Sequence, residues 1–166
     1  MVFEAEKIER SVTMTVIKMV IVVLLLVVAL LFFTLYKNQA NLSQAPGFYD
    51  RLVTYLTSNK ASTSDNHPYQ ELRTPVFKLG AEKLYQRVLY AAAELGWGVL
   101  ANDSENQNAN FVVRTPVFLF EDDVFVQVKS IGMDESSLYI ESSSRTGKAD
   151  FAANTGHIQE LISKLQ

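Results

Sequence analysis

A long uncharged segment near the amino terminus constrains this chain more than any other feature. Residues 19–36 read MVIVVLLLVVALLFFTLY and carry no charge, and the wider segment 12–36 is interrupted only by Lys18. A helix rises about 1.5 Å per residue and a bilayer core is about 30 Å thick, so about 20 residues span it. The segment is apolar on every side and lacks the polar stripe of a surface helix. It predicts a transmembrane helix over residues 12–36.

The residues at both ends of this segment are typical of an anchored helix. Lys18 lies one turn inside the amino end, where its long stem reaches the headgroups. Tyr36 and Lys37 form an interfacial anchor at the other end. A signal peptide has a short basic leader and an apolar region of about 7–15 residues. Here the apolar region is longer and the leader contains three Glu residues, so we predict an uncleaved single span.

Charge on the two flanks favours one orientation of the span. Lys7, Arg10 and Lys18 lie on the amino-terminal side, whereas Lys37 and Arg51 lie close to the other end. Basic residues are retained on the cytoplasmic side of a membrane. Residues 1–11 are therefore predicted to be a cytoplasmic flank. We expect a bacterial inner-membrane protein whose soluble domain lies in the periplasm.

Composition and missing motifs exclude several function classes. The 166 residues include no Cys, which removes disulfide scaffolds, thiolate zinc sites and Cys nucleophiles. The net charge is −3, so the chain lacks the basic character of a general nucleic-acid-binding protein. The two His residues do not have metal-ligand spacing, and phosphate-loop, dinucleotide and nucleophile-elbow motifs are absent. We therefore predict no cofactor, no metal and no nucleic-acid partner.

Residues 37–78 are predicted to be a juxtamembrane linker. Their first ten residues are polar and include Pro46. Residues 47–58 have the spacing of a short amphipathic helix, and residues 59–68 have the composition of a loop.

Residues 79–166 predict a soluble α+β domain. An apolar face at helical spacing predicts a helix over 79–95, with Gly96 as its C-cap. A second helix is expected at the carboxyl end, with Asn154 as its N-cap. Between them we expect four strands, near residues 97–101, 111–113, 124–128 and 137–142. This order predicts a small antiparallel meander of about four strands with both helices on one face.

A group of polar residues in this domain is the candidate site. Its members are a carboxylate pair before the third strand and polar residues after the fourth: Asp122, Asp123, Arg145, Asp150 and Asn154. Paired carboxylates suit acid–base chemistry or a hard cation. Adjacent residues on a strand point to opposite faces, however, so Asp122 and Asp123 do not readily share a proton.

A structural network is the preferred interpretation of this group. We expect one carboxylate to pair with Arg145 in a planar two-bond contact, and the other to face water or cap a turn. Asp150 is expected to bind backbone N–H groups of the turn at 146–150. His157 is a lone histidine on the first turn of a helix, and the chain's other histidine, His67, lies in a loop.

The two polar motifs together resemble a known family. FxDDV at residues 120–124 and SRxGxxD…N at residues 144–154, followed by an apolar helix, are similar to domain-of-unknown-function family 1499. The resemblance extends from about residue 79 to the end. It implies a membrane-associated domain with no established activity. The chain has Ala152 where the family usually has Gly and His157 where it usually has Arg, and it lacks an upstream Cys motif.

Two functions follow from these observations. The preferred one is a non-catalytic accessory subunit that lies in the lipid bilayer and packs on other membrane-protein subunits. Its contacts are expected through residues 12–36 and through the aromatic residues Phe48, Tyr49 and Tyr55. The alternative is an envelope enzyme or a small-ligand-binding domain that uses the candidate site. A pocket ringed by those side chains would favour the alternative.

Overall fold

The computed structural model describes residues 2–166, with side chains for residues 3, 4 and 9–166. The side chain of Lys7, which contributes to the predicted orientation, lies outside the described residues.

The first helix, α1 (Val2–Lys37), is long and apolar. By length and composition, residues 9–37 suffice to cross a bilayer, and none of the most apolar window is buried. Lys18, Tyr36 and Lys37 are exposed. The end of the helix differs from the rest, because Thr34 and Leu35 are buried against the domain that follows. Both membrane anchors and signal sequences have such a helix.

The domain that follows contains three more helices of α type and six strands. In chain order these are α2 (Phe48–Thr57), β1 (Lys60–Ser62), β2 (Val76–Phe77), α3 (Ala81–Glu94), β3 (Gly98–Asp103), β4 (Asn108–Arg114), β5 (Glu121–Gly132), β6 (Glu135–Ser144) and α4 (Ala153–Leu165). All strand pairs are antiparallel, and the main sheet order is β1-β6-β5-β4-β3, with β2 pairing a different part of β6. The predicted α+β class and the β3–β6 meander are confirmed.

The hydrophobic core lies between one face of the sheet and helices α3 and α4. Strands β4, β5 and β6 alternate buried and half-buried residues, as a sheet with one covered face requires. Apolar side chains from both layers fill the space, among them Phe111, Val126, Ile140, Val88 and Ile158. Burying a large apolar side chain contributes about 1.5–3 kcal/mol, so this layer supplies most of the driving force.

Gly96 ends α3 as the sequence predicts. Its φ of 74° lies in the left-handed region that glycine adopts without steric cost. The N–H of Trp97 donates to the carbonyl of Ala92, and the N–H of Gly96 donates to that of Ala93. These bonds satisfy carbonyls at the helix end and turn the chain into β3.

The prediction that residues 37–78 form a linker is wrong. Helix α2 lies there as expected, but β1 and β2 both pair with β6 and extend the predicted four strands to six. β1 also falls inside the segment 59–68 that was predicted to be a loop. These strands have only three and two residues, too few for alternation to be visible, and their partner lies far along the chain.

Candidate functional site

The fold divides the predicted cluster between the two faces of the sheet. Asp122 and Asp123 are neighbours on β5, and their side chains are 0% and 45% exposed. Strand alternation predicts this separation, and it gives the two carboxylates different surroundings. Asp122 faces the helices together with Asp150 and Asn154, whereas Asp123 and Arg145 lie on the outer face.

On the outer face, Arg145 pairs with two carboxylates. Its Nε and Nη2 donate to Asp123 Oδ1 at 2.9 and 2.7 Å, and its Nη1 donates to Glu121 Oε2 at 2.6 Å. The hydrogen bond to Asp123 is the main reason why the pKa of Arg145 is raised. The predicted pairing of one carboxylate with Arg145 is confirmed. All three side chains remain partly exposed, so water screens this pair.

On the inner face, Asp122 contacts His157. The distance from Asp122 Oδ2 to His157 Nε2 is 3.1 Å, and both side chains are buried. The prediction that the second carboxylate faces water or caps a turn is therefore wrong, because α4 covers this end of β5. Trp97 packs edge-on against the imidazole at 6.2 Å. The sequence did not indicate this pair, since the two residues are 35 positions apart and no local pattern includes both.

Asp150 caps α4, and the predicted N-cap Asn154 does not. Asp150 Oδ1 accepts from the N–H of Ala152 at 2.9 Å, and its Oδ2 accepts from the N–H of Asn154 at 3.3 Å. These donors lie after the turn at 146–150, not within it as predicted. Burial raises the pKa of Asp150. The chain reaches the helix through Phe151 and Ala152, whose φ values are 52° and 70°.

The left-handed turn at Phe151 and Ala152 is strained. Residues with a Cβ pay roughly 1–2 kcal/mol each in this conformation, and glycine does not. The resemblance implies Gly at position 152, where the left-handed backbone suits it. The turn persists because Asp150 binds the N–H of Ala152 and because Asn38 Nδ2 donates to the carbonyl of Phe151 at 2.9 Å. Strain of this kind is held by the surrounding contacts and often lies beside a site.

Asn154 lies inside α4 and joins three segments of the chain. Its Oδ1 accepts from Ser142 Oγ at 2.6 Å, and its Nδ2 donates to Asn59 O, Ser144 Oγ and Asp150 Oδ2 at 2.9, 3.1 and 2.7 Å. The side chain is fully buried. The amide oxygen and nitrogen of Asn154 are both hydrogen-bonded inside the protein. Asn154 therefore has a structural role, in which it holds β6, Asn59 and the start of α4 together.

A small cavity lies beside this network, at the end of α1. Its volume is about 20 Å³, which is room for about one water molecule. The lining comes from α1, the loop 115–120, β5 and the segment 144–151: Thr34, Asn38, Thr115, Val117, Phe118, Phe120, Asp122, Ser144, Thr146, Ala149, Asp150 and Phe151. Of the predicted cluster, only Asp122 and Asp150 line it.

Two oxygen atoms of the lining residues have no hydrogen-bond partner among the described residues. They are Asp122 Oδ1 and Asn38 Oδ1, and both are buried. Buried polar atoms in folded proteins are nearly always paired. Two residues that line the cavity therefore each carry a buried acceptor to which no described residue donates.

The end of α1 is part of the folded domain. Leu35 is 1% exposed and belongs to the hydrophobic core. A Cβ placed on Gly156 would lie 2.6 Å from the carbonyl oxygen of Asn38, so only glycine permits this approach of α4. Gln39 Nε2 also donates to Glu160 Oε1 at 3.1 Å. The sequence analysis did not predict this contact, and Gly156 in the first turn of the carboxyl-terminal helix is a signal that could have indicated it.

A second buried polar group lies under α2. Arg51 is fully buried, and its guanidinium donates to both carboxylate oxygens of Glu71 and to the carbonyl of Ala45. It also donates to Tyr55 Oη at 3.1 Å and lies 4.2 Å from the centre of the Tyr69 ring. Tyr55 is consequently buried and unavailable to a partner, contrary to the prediction.

The two other aromatic residues of the predicted partner surface, Phe48 and Tyr49, are exposed.

Comparison with known families gives one match over most of the chain. A family model described as "Protein of unknown function (DUF1499)" matches residues 51–165. The matched region begins at Arg51, well before residue 79, and so includes most of α2 and all of β1 and β2. A comparison with curated proteins finds no match.

Proposed function

This chain belongs to the DUF1499 family, and we propose that it is a single-pass membrane-anchored accessory subunit. In this proposal α1 stays uncleaved in the bilayer of a bacterial inner membrane. The α+β domain is held on the periplasmic side and packs on a larger membrane-protein complex. The domain itself performs no catalysis.

The contact between α1 and the domain is the observation that carries this proposal. A signal peptide would be removed after its apolar region, and the best small-residue site here is at residues 43–45. Cleavage there would remove Leu35 from the core and Asn38 from the carbonyl of Phe151. The domain would lose part of its own interior, which favours an anchor over a leader.

The bonding of the polar cluster supports a non-catalytic role. Asp123 and Arg145 are satisfied by each other and by Glu121 on the surface. Asn154 is satisfied inside the protein. A nucleophilic triad needs a hydroxyl or thiol on the side of the histidine away from the carboxylate, and the structure gives His157 only Asp122 as a hydrogen-bond partner among the described residues.

The anchor is tested by washing vesicles at alkaline pH and by measuring the intact mass of the product. We expect the full chain to remain in the membrane with its first 40 residues present. Recovery in the wash, or a mass that begins after residue 45, would contradict an uncleaved span.

The partner is tested by photo-crosslinking from single positions in native membranes. A crosslinker at the exposed Tyr49 is expected to capture a membrane protein. The matched control is Glu105, which is exposed in the β3–β4 turn, at the end of β4 away from the loop 115–120. Equal capture from both positions, or none from Tyr49, would contradict packing through this surface.

A further inference from the structure

We propose that the cavity at the end of α1 binds the primary ammonium group of an aminophospholipid headgroup. The inference rests on the proposed function, because α1 must hold the cavity at the bilayer surface. It assigns a ligand to the residues that the hydrogen-bond network leaves unsatisfied.

The unpaired oxygens define what the ligand has to offer. Asp122 Oδ2 is taken by His157, which leaves Oδ1 without a partner among the described residues. The amide of Asn38 is oriented by its Nδ2, which donates to the carbonyl of Phe151, so its free atom is the acceptor Oδ1. A ligand with several N–H donors satisfies both oxygens, whereas a further acceptor would be repelled.

The charge of the lining favours a cation. Asp122 and Asp150 both contribute to the cavity, and none of the twelve lining residues is Lys, Arg or His. Arg145, which lies between the lining residues Ser144 and Thr146, is bound to Asp123 and Glu121 on the opposite face of the sheet. Asp122 contacts His157 through Oδ2 only, so a bound cation would face the unpaired Oδ1 and stabilise the buried carboxylate.

Size and lining chemistry select the kind of cation. A volume of about 20 Å³ accepts a group as small as water, which an –NH₃⁺ is and a trimethylammonium is not. Hard metal ions such as Ca²⁺ need about six to eight oxygen ligands. Phe118, Phe120 and Phe151 occupy part of this wall instead. Aromatic rings attract organic ammonium groups through their faces.

The position of the cavity favours a lipid as the carrier of the ammonium group. Thr34 lines the cavity from the last turns of α1, directly before the interfacial residues Tyr36 and Lys37. The loop beside it exposes three consecutive large apolar residues: Phe118, Leu119 and Phe120. Exposed apolar groups next to a membrane helix suit the boundary between headgroups and acyl chains.

The test titrates the full-length chain, in detergent, with short-chain phosphatidylethanolamine. Heat of binding is measured by calorimetry, and the fluorescence of Trp97, the single Trp of the chain, reports a change beside His157. We expect phosphatidylethanolamine to bind and phosphatidylcholine of the same chain length not to bind. Free ethanolamine is expected to bind much more weakly than the lipid.

Two variants, Asp122→Asn and Thr146→Phe, and one control variant test whether the lipid binds in the cavity. Asp122→Asn is expected to weaken binding by about tenfold or more, since it removes the buried charge that faces the ammonium. Asp123→Asn is the matched control on the outer face, and its affinity should equal that of the natural chain. Thr146→Phe narrows the cavity from an exposed position, and it serves if circular dichroism shows that Asp122→Asn does not fold.

Several results would overturn the proposal. Equal binding of the two lipids would show that the ammonium group is not recognised. No binding of either lipid would leave water as the occupant of the cavity. Unchanged affinity in Asp122→Asn and Thr146→Phe would place the lipid elsewhere, and equal affinity for free ethanolamine would exclude the lipid as the carrier. Failure of the proposed membrane anchor can be distinguished from failure of lipid binding. The anchor is tested by the alkaline wash and the intact mass, whereas lipid binding is tested by titration in detergent.

Discussion

At the scale of single residues, Arg51 shows how much one buried side chain contributes to this domain. Its guanidinium is fully buried and binds Glu71, Ala45 and Tyr55 at once. Burial alone would raise the pKa of Glu71, but the hydrogen bond and the charge of Arg51 outweigh it and lower that pKa. Such a planar, multiply bonded arrangement fits Arg and does not fit Lys.

We therefore expect Arg51→Lys to destabilise the chain. The ammonium cannot reproduce the paired bonds to Glu71 together with those to Ala45 and Tyr55, and the hydrogen bonds that it leaves unmade cost about 1–3 kcal/mol. Denaturant unfolding in detergent measures the change. Arg145→Lys is the matched control, because that Arg is exposed, and it should lower stability much less. Similar losses in the two variants would mean that burial of Arg51 is not what matters.

Asp150 predicts a dependence of stability on pH. Burial raises its pKa in the folded chain above the ordinary value of about 3.9. Its contribution to stability is then fully present below pH 4 and is lost as the pH rises through the folded pKa. Asp150→Asn should remove this decline, which is measured by unfolding the natural chain and the variant over pH 3 to 7. An identical pH profile in both would contradict the assignment.

At the scale of secondary-structure elements, the spacing of apolar residues predicts the helices and strands whose pattern is contained in one stretch of sequence. The spacing of Leu84 and Val88 indicates α3, that of Ile158 and Leu161 indicates α4, and alternation indicates β4 to β6. Each pattern lies within one element and faces one common core. The opposite faces of Asp122 and Asp123 follow from the same geometry.

Contacts between distant segments are what the sequence does not show. β1 and β2 are too short to carry a pattern, and they exist because β6 offers them an edge. His157 and Arg51 are lone residues locally, and their roles depend on Asp122 and Glu71, which only the fold brings near. The cavity was unpredictable for the same reason, since its lining comes from four separate segments.

Helix α1 has two functionally different parts, and matched substitutions should separate them. Leu35 is in the domain core, whereas Leu24 is exposed along the apolar stretch. We expect Leu35→Ala to destabilise the domain by about 2–5 kcal/mol, because it leaves a cavity in the core. Leu24→Ala should leave domain stability unchanged. Hydrogen exchange of α4 measures both, and equal protection in the two variants would show that α1 does not support the domain.

At the scale of the whole molecule, the helix and the domain form one continuous structure. The last turn of α1, the turn at Phe151 and the first turn of α4 are held together by Asn38 and Gly156. The end of the helix itself enters the core of the domain through Leu35. The end of the apolar helix also forms part of the cavity wall, through Thr34.

The proposed anchor places the amino end and the domain on opposite sides of the membrane, and this orientation can be tested. Three basic residues before the segment against two after it favour an amino end in the cytoplasm. Because the chain has no Cys, one introduced Cys reports one position without background. Phe3, before the apolar segment, and Glu105, in the β3–β4 turn of the domain, are both exposed and are suitable positions.

We expect an impermeant maleimide to label Glu105→Cys in spheroplasts, and to label Phe3→Cys only after the membrane is permeabilised. Both variants should be labelled equally in detergent, which controls for reactivity. The reverse pattern would place the domain in the cytoplasm. The cavity and the surface at Phe48 and Tyr49 both belong to this domain, so they would lie on the same side as Glu105. One labelling experiment therefore decides from which side of the membrane any partner or headgroup reaches them.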